Sequence, residues 1–217
     1  MPEPLVTLEE ADATYLGPFY AINALIITPG FTFAPCDRDG SRSRRICCIQ
    51  HRKVATGELL PKRPLLFDIV GQISPDQCFL TARGLSQPSD PADEEPVASC
   101  WLEPRTHIMS EINWRGVEDS VGKIVQAIPG DVDTSRLFAR DEGGRPKLQV
   151  IWQGYSGETT AATLPMFDAE GYHRVPAAIS EVPFGMAMHA SFSIEYYFCR
   201  QTGTRIVFAN LVRIVYA

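Results

Sequence analysis

Four histidines, six cysteines and a few adjacent carboxylates are the residues of this chain that could carry covalent, acid–base or metal chemistry. Their spacing argues against each. His51, His107, His173 and His189 are scattered, and none neighbours a Ser or Cys in a nucleophile arrangement. Cys47-Cys48-x-x-His51 is the one tight Cys/His group. Strand alternation would point its adjacent cysteines to opposite faces, and no second ligand pair stands at zinc-site spacing, so no metal is expected. Glu94-Glu95 and Glu118-Asp119 sit in acidic, solvated stretches. Gly143-Gly144-Arg145-Pro146 lacks the lysine and following helix of a phosphate loop. The reading is a non-enzyme without cofactor.

Charge is more informative. Between Cys36 and Arg63 eight bases face three acids, a local +5 that leaves −11 for the rest of a chain whose total is −6. A solvated loop would explain such a run, and so would contact with a polyanion. Binding a single nucleic-acid strand needs cations along a groove and flat rings on which bases stack. Candidates of the first kind are Arg42, Arg44, Arg45, Arg52 and Lys53. Rings beside cations or polar groups are Trp114 with Arg115, Trp152 with Lys147, Tyr155, and Tyr197 near Arg200 and Arg205. Trp152 alternates with Leu148 and Val150 and reads as core.

The elements that must position these groups are mostly strands. Seventeen prolines and sixteen glycines in 217 residues suit short elements and loops better than helices. The clearest element is the last. In Pro183–Ala217, residues Ala190, Phe192, Ile194, Tyr196 and Phe198 share one face, and Ser191, Ser193, Glu195 and Tyr197 the other. A turn at 200–204 leads into a strand apolar on both faces, with Ile206, Phe208, Val212, Ile214 and Tyr216 on one side and Val207, Ala209, Leu211 and Val215 on the other, as a central strand requires.

Further strands are expected at Phe19–Thr28, on both sides of the turn Asp37-Arg38-Asp39-Gly40, at Leu65–Ile73 with Gly71 as a bulge or bend, at Cys78–Ala82 and at Lys147–Tyr155. Residues 117–128 show helical spacing weakened by β-branching and Gly122, and a strand is favoured for Lys123–Ile128. Pro129–Pro146 reads as a polar loop and Leu164–Val175 as loop or edge strand.

The order of short strands, the segment Asp68-Ile69-Val70-Gly71-Gln72-Ile73, and the closing pattern Phe192-Ser193-Ile194-x-Tyr196-Tyr197, Gly203-Thr204-Arg205-Ile206 and Leu211-x-x-Ile214 resemble OB-fold single-stranded-DNA-binding proteins. The closing pattern is also similar to that of uncharacterised mobile-element-associated proteins of mushroom-forming fungi. The first resemblance implies a single-stranded nucleic-acid partner, DNA favoured over RNA, bound without chemistry. The acidic tail of that family has no counterpart in Val215-Tyr216-Ala217, so recruitment of partners through such a tail is not implied.

The fold expected is all-β: an OB-like Greek-key barrel with extra strands and long loops, and at most one or two short helices. A partly ordered arm at 1–18 would precede a single β domain over 19–217, with a mobile acidic, proline-rich insertion at 86–96. The alternative is a β-sandwich serving as a coat or recruitment module without nucleic-acid binding. MPEPLVTLEE lacks the basic start and apolar core of a signal peptide, no run is long enough to span a membrane, and the dispersed cysteines read as core thiols. An intracellular protein, nuclear or cytoplasmic, is therefore expected, with homo-oligomers left open.

Overall fold

The computed structural model describes residues 15–16, 31–37, 43–50, 63–64, 66–81, 97–105, 108–153 and 164–216. The expected strand at 19–28, the arm apart from Tyr15–Leu16, and the insertion at 86–96 lie outside them. The elements in order are β1 (Tyr15–Leu16), β2 (Phe31–Asp37), β3 (Arg44–Gln50), β4 (Arg63–Pro64), β5 (Leu66–Ile73), β6 (Val97–Glu103), α1 (Ile108–Val125), β7 (Val132–Asp133), β8 (Phe138–Arg140), β9 (Pro146–Gln153), β10 (Met166–Asp168), a 3-10 turn (Ile179–Glu181), β11 (Met188–Phe198) and β12 (Arg205–Tyr216).

Five strands close a ring. β5 pairs antiparallel with β6, β6 antiparallel with β9, β9 parallel with β12, β12 antiparallel with β11, and β11 antiparallel with β5 again. Numbered by chain order within the ring, the neighbours run 1-2-3-5-4-1. This is an OB-like β-barrel with added strands, as the alternating segments led us to expect. Among the described residues the strands join one sheet closed into a ring, not the two separately packed sheets of the sandwich alternative. The hairpin β2–β3 is attached outside the ring, through β3 on β11.

The barrel interior follows period two. Phe67, Ile69 and Ile73 from β5 meet Ala190, Phe192 and Ile194 from β11, all at most 1% exposed. Phe67 and Phe192 are register partners, and their rings stack at 5.5 Å. Along β12 the alternation breaks. The register shifts so that Phe192 faces Leu211 while Ser191 faces Arg213, which leaves Val212 as an inserted, 39% exposed residue. Val207, Ala209 and Leu211 point inward before this bulge, and Ile214 and Tyr216 take over after it. Strict alternation put Ile214 and Tyr216 on the opposite face. One extra residue reverses the sides.

The helix is longer than expected and starts earlier. Lys123–Ile128 is not a strand: residues through Val125 complete α1, and Trp114, Val117, Val121, Ile124 and Val125 form its buried stripe. Tertiary burial of that stripe overrides the β-branched residues. Two short strands, β7 and β8, form within the expected 129–146 loop, and β10 forms within 164–175. Residues 78–81 form no strand, although Phe79 N–H still donates to Ser99 O at 2.7 Å.

Gly71 is the last residue of β5 paired with β11, and no register shift precedes it. It is a point of close approach. A Cβ there would stand 2.7 Å from Glu103 O and 2.8 Å from Trp114 Cζ2, where α1 lies on the end of β5 and the indole N–H donates to Val70 O at 3.0 Å. Gly122, on the outer side of α1, has nothing within 4 Å of the equivalent position. The same substitution therefore has opposite signs at the two sites. Gly71→Ala is expected to destabilise by about 1–3 kcal/mol through overpacking, and Gly122→Ala to stabilise by up to about 1 kcal/mol through helix propensity. Thermal melts of the two variants against the parent check both.

Candidate nucleic-acid interface

Two regions of the barrel surface place rings or cations where a strand could meet them. The first is the outward face of β6 and β9. Ala98, Cys100 and Leu102 point inward, so Trp101 points outward, opposite Gln149, with Ile151 two residues along and half-exposed. Trp101 is itself half-exposed, and its indole N–H reaches Gln77 Oε1 at 3.4 Å. The sequence reading passed over this ring. Its signal was the alternation Ala98, Cys100, Leu102, which sends Trp101 out of the core.

The second region is the tip of the β11–β12 hairpin. Tyr197 is half-exposed; Arg136, from the turn before β8, donates through Nη1 to its hydroxyl at 3.2 Å, and its ring tilts against Phe208 at 6.1 Å. Phe198, 56% exposed, carries the Arg205 guanidinium over its ring at 5.7 Å. Cross-strand pairing sets this contact, since Phe198 and Arg205 are register partners. Gly130, at φ +79°, lies against that guanidinium, where a Cβ would collide with Nη1. Arg200 is exposed in the turn. Sequence proximity found Tyr197 and Arg205; Arg136 comes from a separate turn and gave no signal.

The same tip holds Cys199, whose thiol is held below its ordinary range by hydrogen bonds from the Thr202 side chain and the Thr202 and Gln201 backbone. Burial pushes the Cys78 and Cys100 thiols up.

The remaining predicted residues are distributed differently. Trp114 is 1% exposed and belongs to the core, so its ring offers no stacking face. The side chain of Arg115 lies outside the described residues, as do Arg42, Arg52, Lys53 and Tyr155. Lys147 is 8% exposed and committed to protein partners: Nζ donates to Asp76 Oδ2 at 2.7 Å and Ser74 Oγ at 3.1 Å, and lies 3.4 Å from Glu103 Oε2. Burial alone would lower the Lys147 pKa, but the Asp76 hydrogen bond and the Glu103 and Asp76 charges outweigh it and raise it. Arg44 is exposed.

Arg45 is a clamp. Its Nε donates to Glu195 Oε1 at 3.1 Å; Ser43 Oγ donates to Oε2 at 2.8 Å and Ser193 Oγ to Oε1 at 2.9 Å. Glu195 and Ser193 are fully buried, although alternation had put them on an exposed face with Ser191 and Tyr197. A buried carboxylate with three donors fixes β3 on β11.

The cysteines also differ from expectation. Cys36 and Cys47 form a disulfide across the β2–β3 hairpin, so they are not core thiols, and Cys47 is withdrawn from any Cys47-Cys48-x-x-His51 ligand set. Among the described residues no group of three His, Cys, Asp or Glu could hold a metal ion, and no helix is long and apolar enough to cross a membrane.

The surface is therefore that of an OB-like barrel with a ring-bearing face on its second and third strands and a cation–ring pair at its closing hairpin. Among solved structures the chain is similar to gp2.5, a single-stranded DNA binding protein encoded by bacteriophage T7, at 16% identity and a TM-score of 0.40, covering 70% of this chain and 85% of that one. It is also similar to the single-stranded DNA-binding protein from bacteriophage Enc34 in complex with single-stranded DNA, at 11% identity and a TM-score of 0.47, covering 86% and 95%. No protein-family profile and no curated protein sequence matches the chain.

Two outcomes follow from this chemistry. Arg45→Ala removes the charged partner of a buried carboxylate and is expected to cost about 3–5 kcal/mol, whereas Arg44→Ala, at an exposed side chain, is expected to cost at most about 1 kcal/mol; urea denaturation separates them. In the folded protein at neutral pH, iodoacetamide should label Cys199 well before Cys78 or Cys100, as read by peptide mass spectrometry.

Proposed function

We propose that this chain binds single-stranded nucleic acid, DNA in preference to RNA, without catalysing a reaction. The contact runs along the outward face of β6 and β9 and reaches the tip of the β11–β12 hairpin. OB-type barrels bind oligonucleotides over their second and third strands and through the loops joining strands one to two and four to five. In ring order those are β6 and β9, the segment after β5, and the turn between β11 and β12. The observation that carries the reading is the half-exposed Trp101 on this face of a closed 1-2-3-5-4-1 ring.

Each group has a part. Trp101 and Phe198 supply flat faces for bases, Tyr197 is braced by Arg136, and Arg205, Arg200 and Arg44 neutralise phosphates. The basic segment around Arg42, Arg52 and Lys53 adds long-range attraction to an otherwise acidic chain. Lys147, Trp114 and Arg45 have structural duties instead.

Fluorescence anisotropy with a labelled oligodeoxythymidylate tests this. Affinity should fall by tenfold or more between about 50 and 200 mM salt. Trp101→Ala should weaken binding by roughly tenfold, the order expected for one stacked base, with an unchanged melting temperature. Arg205→Ala should lower the salt slope by about one. No binding at low salt would eliminate the reading and leave a protein-interaction module.

A further inference from the structure

The segment 74–79, which leaves β5 on the way to β6, is fixed on both sides of its turn. Ser74 N–H donates to Trp101 O at 2.8 Å and Phe79 N–H to Ser99 O at 2.7 Å, so both ends are laced to β6. The turn is also pinned to β9, where Lys147 Nζ donates to Ser74 Oγ at 3.1 Å and to Asp76 Oδ2 at 2.7 Å. Ser74 is fully buried and Cys78 nearly so. Pro75, Asp76 and Gln77 are left exposed at the crest, beside the outward face of β6.

Gln77 has an unusual backbone for its type. At φ +47° it is the one non-glycine residue with positive φ among the described residues. Glycine enters that left-handed region without penalty, and asparagine or aspartate enters it more readily than a longer side chain. A strained residue held between firm anchors is a reason to ask what its side chain does. Here it reaches Trp101, whose indole N–H meets Oε1 at 3.4 Å. An indole N–H only donates, so it must face the amide oxygen, and that settles which way the amide lies. The NH2 end is then left beside the ring, and among the described residues Nε2 has no hydrogen-bond partner.

We infer that Gln77 and Trp101 form a base-reading subsite, in which the indole takes the face of one base and the Gln77 amide donates to a carbonyl oxygen on that base's edge. The inference rests on the nucleic-acid reading above and names the bases the site takes. Thymine, uracil, cytosine and guanine carry such an oxygen. Adenine accepts only through ring nitrogens and carries an amino group where guanine has its oxygen. Stacking by itself tolerates every base, because each has a π-face. A donor held beside the ring separates them, since a base without the matching acceptor leaves the amide unpaired. The contact joins neutral groups, so it discriminates without adding to the salt dependence.

The test titrates labelled oligodeoxythymidylate and oligodeoxyadenylate of equal length, by anisotropy, into the parent, Gln77→Gly, Trp101→Ala and the double variant. Oligodeoxyadenylate stacks on itself, but that is a property of the ligand and cancels when the thymidylate-to-adenylate affinity ratio is compared between proteins. Gln77→Gly should lower the ratio about fivefold, the order of one neutral hydrogen bond, with the salt slope unchanged. Glycine suits φ +47°, so the melting temperature of this variant should match or exceed the parent's. In the Trp101→Ala background Gln77→Gly should change the ratio no further, because the amide reads only a base that the ring holds. Should Gln77→Gly not fold, Gln77→Asn tolerates the same backbone, is one methylene shorter, and carries the same comparison. An unchanged ratio in Gln77→Gly overturns the inference and leaves the nucleic-acid reading intact. Equal affinity of the parent for the two homopolymers overturns it as well. Absence of binding by the parent at low salt overturns both.

Discussion

The antiparallel pairing of β11 with β5 turns a meandering sheet into a barrel. Six register pairs, from Met188↔Gly71 to Ser193↔Leu66, join the fourth strand of the ring to the first. At Ser193 the pairing ends, and from Glu195 onward the same edge of β11 takes β3 instead. An eleven-residue strand thus serves two neighbours in succession along one edge. The barrel closes on the first half, and the hairpin hangs from the second. Without closure β6 and β9 would have no interior to turn their apolar residues toward, and Trp101 would have no reason to face outward.

At the change of partner the backbone is reinforced by side chains. Glu195 is fully buried and accepts from Arg45, Ser43 and Ser193. Such a cluster adds less to stability than its geometry suggests, since desolvation offsets the attraction, but removing Arg45 takes a positive charge away from a buried carboxylate. Its value is in register: β3 has one position at which its arginine meets the carboxylate. Adjacent arginines consequently have different work. Arg45 is an internal strut, and Arg44 faces solvent.

Strand alternation was legible wherever one face is apolar and nothing interrupts the count. Leu148 and Val150, and Ala190, Phe192 and Ile194, were placed correctly because period two is all that decides them. Alternation fails where tertiary structure supplies the missing information. Val212 inserts one residue and reverses the faces of Ile214 and Tyr216, and nothing local marks it as a bulge. The β-branched residues of α1 argued for a strand until a buried stripe through Trp114 decided for a helix. In the site, Tyr197 and Arg205 could be found because they are close in sequence. Alternation alone puts Glu195 on a solvent face, because its partner Arg45 lies 150 residues away. Trp101 was readable from its neighbours, but a lone tryptophan in an apolar stretch is most often core.

What remains is a barrel whose interior is fixed by Phe67, Phe192 and their neighbours and whose exterior carries flat rings at two places along the path expected of a bound strand. A second cluster, with Arg213 over Phe167 and Arg174 over Tyr172, decorates the other end of β12 and is the natural competitor for that role. Ultraviolet crosslinking to a photoreactive thymidine oligonucleotide, followed by peptide mass spectrometry, distinguishes them directly. Adducts on peptides containing Trp101 and Tyr197-Phe198 are the expected result. Adducts confined to Phe167 and Tyr172 would contradict the account.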